Sequence, residues 1–89
     1  MDKSLWNDEE LAIFELFKNR CALNPAHKAE VLHEIIPKSQ APKNWDIPTN
    51  RIPLCVVCHT NVHHNYDSLK RNYLQILRLE AEYANIYTE

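Results

Sequence analysis

Apolar residues recur at helical spacing near both ends of the chain and crowd into short strand-like runs between them. Leu11, Ile13, Phe14, Leu16 and Phe17 form a wide apolar face and predict an amphipathic helix over 8–20. Asn7 is a suitable N-cap with Glu10 three residues on, and Asp8, Glu9 and Glu10 place negative charge where the helix dipole favours it. The region of Pro25 ends that helix. Residues 29–36 are dense in Val, Leu and Ile and stop at Pro37, which suits a strand, with a helical turn as the alternative for so short a run. Residues 38–50 hold Pro42, Pro48, Ser39, Asn44 and Asn50 and predict a loop. Arg51-Ile52-Pro53-Leu54 predicts a second short strand, confined by Pro53 to an edge or unpaired position. A helix over 56–64 follows, and Asp67 or Ser68 can cap a last one to about Tyr87. That helix places Leu69, Tyr73, Ile76, Leu77, Ala84 and Tyr87 on one side, expected to serve core or dimer contacts.

Length and composition narrow this picture to one small domain. Eighty-nine residues bury a modest core, so a bound metal or an oligomer is physically welcome. Glycine is absent, so turns needing positive φ are expected to use Asn or Asp, among them Asn24, Asn44, Asn50, Asn61, Asn65 and Asp67. No long apolar run and no leader-like N-terminus is present, which gives the expectation of a cytoplasmic chain with no membrane partner. The formal net charge of -2 conceals an asymmetry. Nine Lys and Arg stand against four acids from Lys18 to Leu79, while the ends carry eight acids and one Lys. A basic middle can hold a phosphate backbone, although a mixed solvated surface accounts for the same counts.

The chemistry concentrates in Cys55-Val56-Val57-Cys58-His59 and His63. Three cysteines without a secretion signal argue for metal ligands over a disulfide framework. Residues three or four apart share a helix face, whereas neighbours diverge by about 100°. Cys55 and Cys58 therefore make one pair and His59 and His63 another, which predicts a thiolate site and an imidazole site on adjoining faces. Soft thiolates build closed structural zinc sites; imidazoles with open coordination positions suit a metal that does chemistry. Cys21 is the candidate third thiolate, and His27 the candidate fourth ligand, with Asn24 or water as alternatives.

The run His33-Glu34-Ile35-Ile36-Pro37-Lys38-Ser39, a loop, Asn50, a short strand and then Leu54-Cys55-x-x-Cys58-His59-x-x-x-His63 resembles the HNH endonucleases. The likeness covers about half the chain, from Cys21 to His64. It implies a small α+β fold in which a ββα-metal core (21–65) lies between an N-terminal helix (1–20) and a C-terminal helix (66–89). It places His33, His59 and His63 at metal-ligand positions, Asn50 at the central asparagine, and Cys55 with Cys58 in a zinc knuckle.

Two departures from the family matter. Aligned on Pro37, the general base, usually His, falls on Glu34, already deprotonated at neutral pH but a weaker base than imidazole. Joining the metal's coordination sphere is the alternative role for Glu34; since His33 and Glu34 point to opposite faces of a regular strand, both reach one site only if the strand is irregular near Pro37. Upstream, Cys21-Ala22-Leu23-Asn24 stands where the family often has a Cys-x-x-Cys, so the zinc set is either Cys3His through His27 or incomplete.

The implied activity is metal-dependent hydrolysis of DNA phosphodiesters using Mg²⁺, Mn²⁺, Ni²⁺ or Zn²⁺, by a monomer or homodimer. Glu34 is the expected base, Asn50 the residue steadying it, and Lys38, Lys43 and Arg51 candidate phosphate contacts. Small nucleases of this kind occur in phage genomes, restriction systems and mobile elements. The competing reading is a noncatalytic zinc module that binds DNA or a protein. A c-type haem reading of Cys55–His59 lacks an export signal and a second axial ligand. The deaminase and His-Glu-x-x-His protease patterns are both missed in spacing.

Overall fold

The computed structural model describes residues 5–40, 43, 47–65 and 67–87, with side chains to residue 84. Three helices and a two-stranded antiparallel sheet give a small α+β fold: α1 (Asp8–Leu16), β1 (Val31–Glu34), a 3₁₀ turn (Pro48–Asn50), β2 (Arg51–Leu54), α2 (Val56–His64) and α3 (Ser68–Tyr87). The core is ββα, flanked by α1 and α3.

At α1 the expected cap is present in both halves. Asn7 Oδ1 accepts from the Glu10 amide at 2.8 Å, and Glu10 Oε1 accepts from the Asn7 amide at 2.9 Å. The helix stops at Leu16, short of Arg20. Lys18 and Asn19 both take left-handed conformations, with φ of 55° and 61°. This corrects the expectation for a glycine-free chain: Asn19 and a lysine carry positive φ, and none of the described residues named for it does. Asn44 lies outside the described residues. The reversal is held from both sides, because the Asn19 amide donates to Phe14 O and its carbonyl accepts from Ala29, each at 2.9 Å.

β1 is shorter than the apolar run suggested, spanning four residues paired with β2 in the register His33↔Ile52 and Glu34↔Arg51. Alternation divides its side chains. Leu32 packs with Ile13, Phe14 and Ala29 beneath α1, while Ile52 and Leu54 of β2 join Cys21, Ile35, Cys55, Val62 and Leu74 in the main core.

Of the apolar row on the last helix expected to serve core or dimer contacts, Leu77 packs on the core. Leu74 and Arg78 are its buried residues and Leu77 packs beside them, while Leu69, Tyr73 and Ile76 are exposed. The side chain of Tyr87 lies outside the described residues. Arg78 is only 1% exposed and donates from Nε to Arg51 O at 2.9 Å and from Nη2 to Pro48 O at 3.2 Å. No described helix is long and apolar enough to cross a membrane.

Candidate functional site

Two groups of side chains can hold a metal ion, Cys21 with Cys55 and Cys58, and His33 with His59 and His63. Within each group the potential ligand atoms lie within 4.8 Å of one another. Both groups draw on the start of α2. Cys55 is its N-cap rather than a residue of its face, and its Sγ accepts from the Cys58 amide at 3.4 Å. Cys58 and His59 then diverge by about 100°, so the next residue faces another part of the molecule.

The thiolate group is closed. Cys21 and Cys55 are buried, and Cys21 sits in a nest of amides. Burial alone would raise the Cys21 pKa, but N–H donors from Cys55, Asn24 and Leu23 outweigh it and lower it. Burial, shared thiol hydrogen bonds and the charge of the neighbouring sulfurs push Cys58 up to about 12. Three sulfurs in one pocket, with the Cys21 thiol pKa lowered by amides and that of Cys58 raised by burial and by its neighbours, form a donor set suited to a soft divalent cation.

His27 lies beside this group rather than within it. It is exposed, with Nδ1 3.6 Å from Cys55 Sγ and 3.4 Å from Asn24 Nδ2. The turn beneath it is fixed by Cys21 N donating to His27 O at 3.0 Å and His27 N to Asn24 O at 2.9 Å. Of the sequence's candidates, His27 is therefore the imidazole at hand for a fourth position.

The imidazole group lies between β1 and α2. Ring centroids are 5.3 Å apart for His33 and His59, 5.5 Å for His33 and His63, and 4.4 Å for His59 and His63. The Nε2 atoms of His59 and His63 approach to 3.0 Å. Neither buried ring nitrogen of His33 has a hydrogen-bond partner among the described residues, although an unsatisfied buried nitrogen is costly. Burial, then the nearby His59 and His63, lower the His33 pKa to about 4. His59 is lowered by burial and His63 and partly restored by Glu34. His33 and His59 are therefore suited to offering lone pairs at neutral pH, and with His63 beside them they fit a borderline metal.

Both His33 and Glu34 line the same cleft, about 480 Å³, with Leu32, Pro37, His59 and His63. The expected conflict between strand neighbours is relieved because β1 ends at Glu34 and the chain bends at Ile35-Ile36. Asn50 enforces the bend. Its backbone carbonyl accepts from Ile35 N at 2.8 Å, its Oδ1 from Ile36 N at 2.9 Å, and its Nδ2 donates to Ile36 O at 3.0 Å.

Two charged residues take roles that sequence reasoning did not assign. Arg51, a candidate phosphate contact, is paired with Glu10 at 2.8 Å, both side chains being mostly buried. Arg78 grips the carbonyls on either side of Thr49-Asn50. The available signal was a basic residue four positions from Leu74 on the row that faces inward. Lys38 and Lys43 are exposed.

Comparison with protein-family models, curated proteins and solved structures finds no match to this chain.

Proposed function

We propose that this chain is a metal-dependent endonuclease of the HNH kind that hydrolyses DNA phosphodiester bonds. The observation that carries the proposal is the convergence of His33, His59, His63 and Glu34 on one open cleft, with Asn50 locking the end of β1 beside it.

His33, His59 and His63 would hold a divalent cation, which supplies Lewis-acid stabilisation of the phosphate charge. Glu34 takes a proton from the attacking water as its oxygen bonds to phosphorus and the P–O bond to the leaving strand breaks. Asn50 acts through the backbone of Ile35 and Ile36, fixing where Glu34 and His33 stand. Lys38 and Lys43 contact flanking phosphates. Cys21, Cys55 and Cys58 hold a structural zinc, with His27 as its fourth ligand. In this reading the protein works in the cytoplasm where its DNA is, the host's for a phage-encoded chain.

Plasmid cleavage with added Mg²⁺, Mn²⁺ or Ni²⁺ tests the assignment. Wild type is expected to cut only with metal, and Glu34→Ala and His59→Ala to lose cleavage by at least about 10²-fold. Normal cutting by His59→Ala overturns the metal site. The carboxylate at position 34, where the family has histidine, favours a second reading as a noncatalytic zinc module that binds DNA or a protein. Wild type that takes up zinc but cuts no form of DNA supports it.

A further inference from the structure

α3 carries an outward row of large exposed apolar side chains. Leu69, Tyr73, Ile76, Leu79 and Tyr83 are between 53% and 78% exposed, whereas Leu74 and Arg78 on the opposite side are buried. At 1.5 Å per residue these five form a stripe about 21 Å long. Beside it runs a shallow groove lined by Thr49, Asn72, Gln75, Ile76 and Leu79. Isolated exposed apolar residues are ordinary on a protein surface, but a contiguous stripe of large ones marks an interface.

We propose that this face pairs with a second copy of the same chain, the two α3 helices running antiparallel. The pattern complements itself about Ile76. Reversing the helix there sets Leu69 against Tyr83, Tyr73 against Leu79 and Ile76 against its own copy, as an isologous two-fold contact requires. The charges follow the same symmetry. Lys70 lies beside the N-terminal end of the stripe and Glu80 beside its C-terminal end, whereas Arg71 and Glu82 turn to the inward side, toward Gln40 and Arg78.

Antiparallel pairing brings each basic end to an acidic one; parallel pairing stacks like on like and is disfavoured. A membrane surface is a poorer occupant, because helices that lie on anionic lipid carry a basic polar face along their length.

Sedimentation equilibrium on the full zinc-loaded chain, from micromolar to sub-millimolar concentration, tests the proposal. Wild type is expected to dimerise. Ile76→Glu is expected to raise the dissociation constant by at least about 100-fold, as removal of a central apolar anchor does. Its far-UV circular dichroism should be unchanged, since position 76 is exposed. Should that variant fail to fold, Leu69→Asp at the most exposed end of the stripe makes the same test.

Lys70→Glu and Glu80→Lys should each weaken association up to about fivefold. The double variant should return to within about twofold of wild type, an outcome that only opposite-end pairing produces. A wild type that stays monomeric throughout overturns the proposal. So does an Ile76→Glu dimer as tight as wild type, a double charge swap weaker than either single change, or a monomer that binds anionic vesicles through this stripe.

Discussion

Cys55 and Cys58 open α2 beneath Leu54 and Val62 in the main core, whereas His59 and His63, one turn further, border a cleft that solvent can enter. The sulfurs receive backbone N–H donors, from the Cys58 amide at Cys55 and from three amides at Cys21. The buried nitrogens of His33 receive none. A thiolate set already furnished with donors is suited to keep one ion permanently and so to tie the start of α2 to the loop at Cys21. An imidazole set in which His33 and His59 disfavour protons, and whose cleft is open, is suited to exchange ligands. A rotation of about 100° between adjacent residues is enough to separate these environments.

The largest expected effect breaks the thiolate side. Cys58→Ser or strong chelation should cost more than about 4 kcal/mol of folding stability, because zinc binding at such a site is folding free energy. His59→Ala should leave the thermal melt within a few degrees of wild type. Melting curves that fall equally for the two substitutions would erase the division of labour.

A smaller effect lies on the imidazole side. Arg78→Met removes the donors to Arg51 O and Pro48 O, leaving Pro48 O with the Arg51 amide alone, and should cost about 1–3 kcal/mol. Amide exchange at Ile35 and Ile36 should quicken while zinc stoichiometry at the cysteines is unchanged. Exchange that stays slow would remove Arg78 from the support of Asn50.

Acid sharpens the contrast further. His33 stays neutral down to about pH 4 when folded, against an ordinary value near 6.5 when unfolded. Below pH 6.5 the unfolded chain therefore binds the proton that the folded chain refuses, and stability falls with falling pH. With zinc in the cysteine site and no ion at the histidines, the loss should approach about 1.4 kcal/mol per pH unit. Urea midpoints from pH 7 to 5.5 measure it, and His33→Phe should flatten the slope.

The smallest effect belongs to neither site. Asn7→Ala should cost about 1 kcal/mol through the lost cap. The Glu10 carboxyl is held below its usual range by the Asn7 amide and then by Arg51, though burial opposes them. Its support is present above about pH 4.5 and fades as pH falls through the folded value. Metal uptake should not change; if it does, α1 is coupled to the sites more tightly than its packing indicates.

Much of this arrangement was legible because it is local. The Asn7–Glu10 cap, the strand at Arg51, the helix bounds of α2 and α3, and the pairing of His59 with His63 all depend on residues within a turn of one another. What sequence alone left hidden depends on distant contacts. Arg78 reads as a surface cation until the carbonyls of Pro48 and Arg51 arrive to receive it. On α3 the apolar row marks core or dimer contacts without dividing them: Leu77 reaches the core, while the inward row runs through Leu74 and the polar Arg78, which periodicity of apolar residues does not pick out. The left-handed pair at Lys18 and Asn19 is imposed by bonds to Phe14 and Ala29, and a lysine there carries no turn signature. The bend at Ile35-Ile36 is the irregularity near Pro37 that the sequence requires if His33 and Glu34 are to share one cleft, and its cause, the bonds to Asn50, is the part left unseen.

The amide of Asn50 bonds both the N–H and the carbonyl of Ile36, closing the far end of β1 with a side chain where another stretch of backbone would ordinarily serve. Ile47 and Pro48 belong to the same fastening, their carbonyls accepting from the Asn50 amide and from Arg78, so one asparagine ties the strand end, the 3₁₀ turn and the last helix into a single joint.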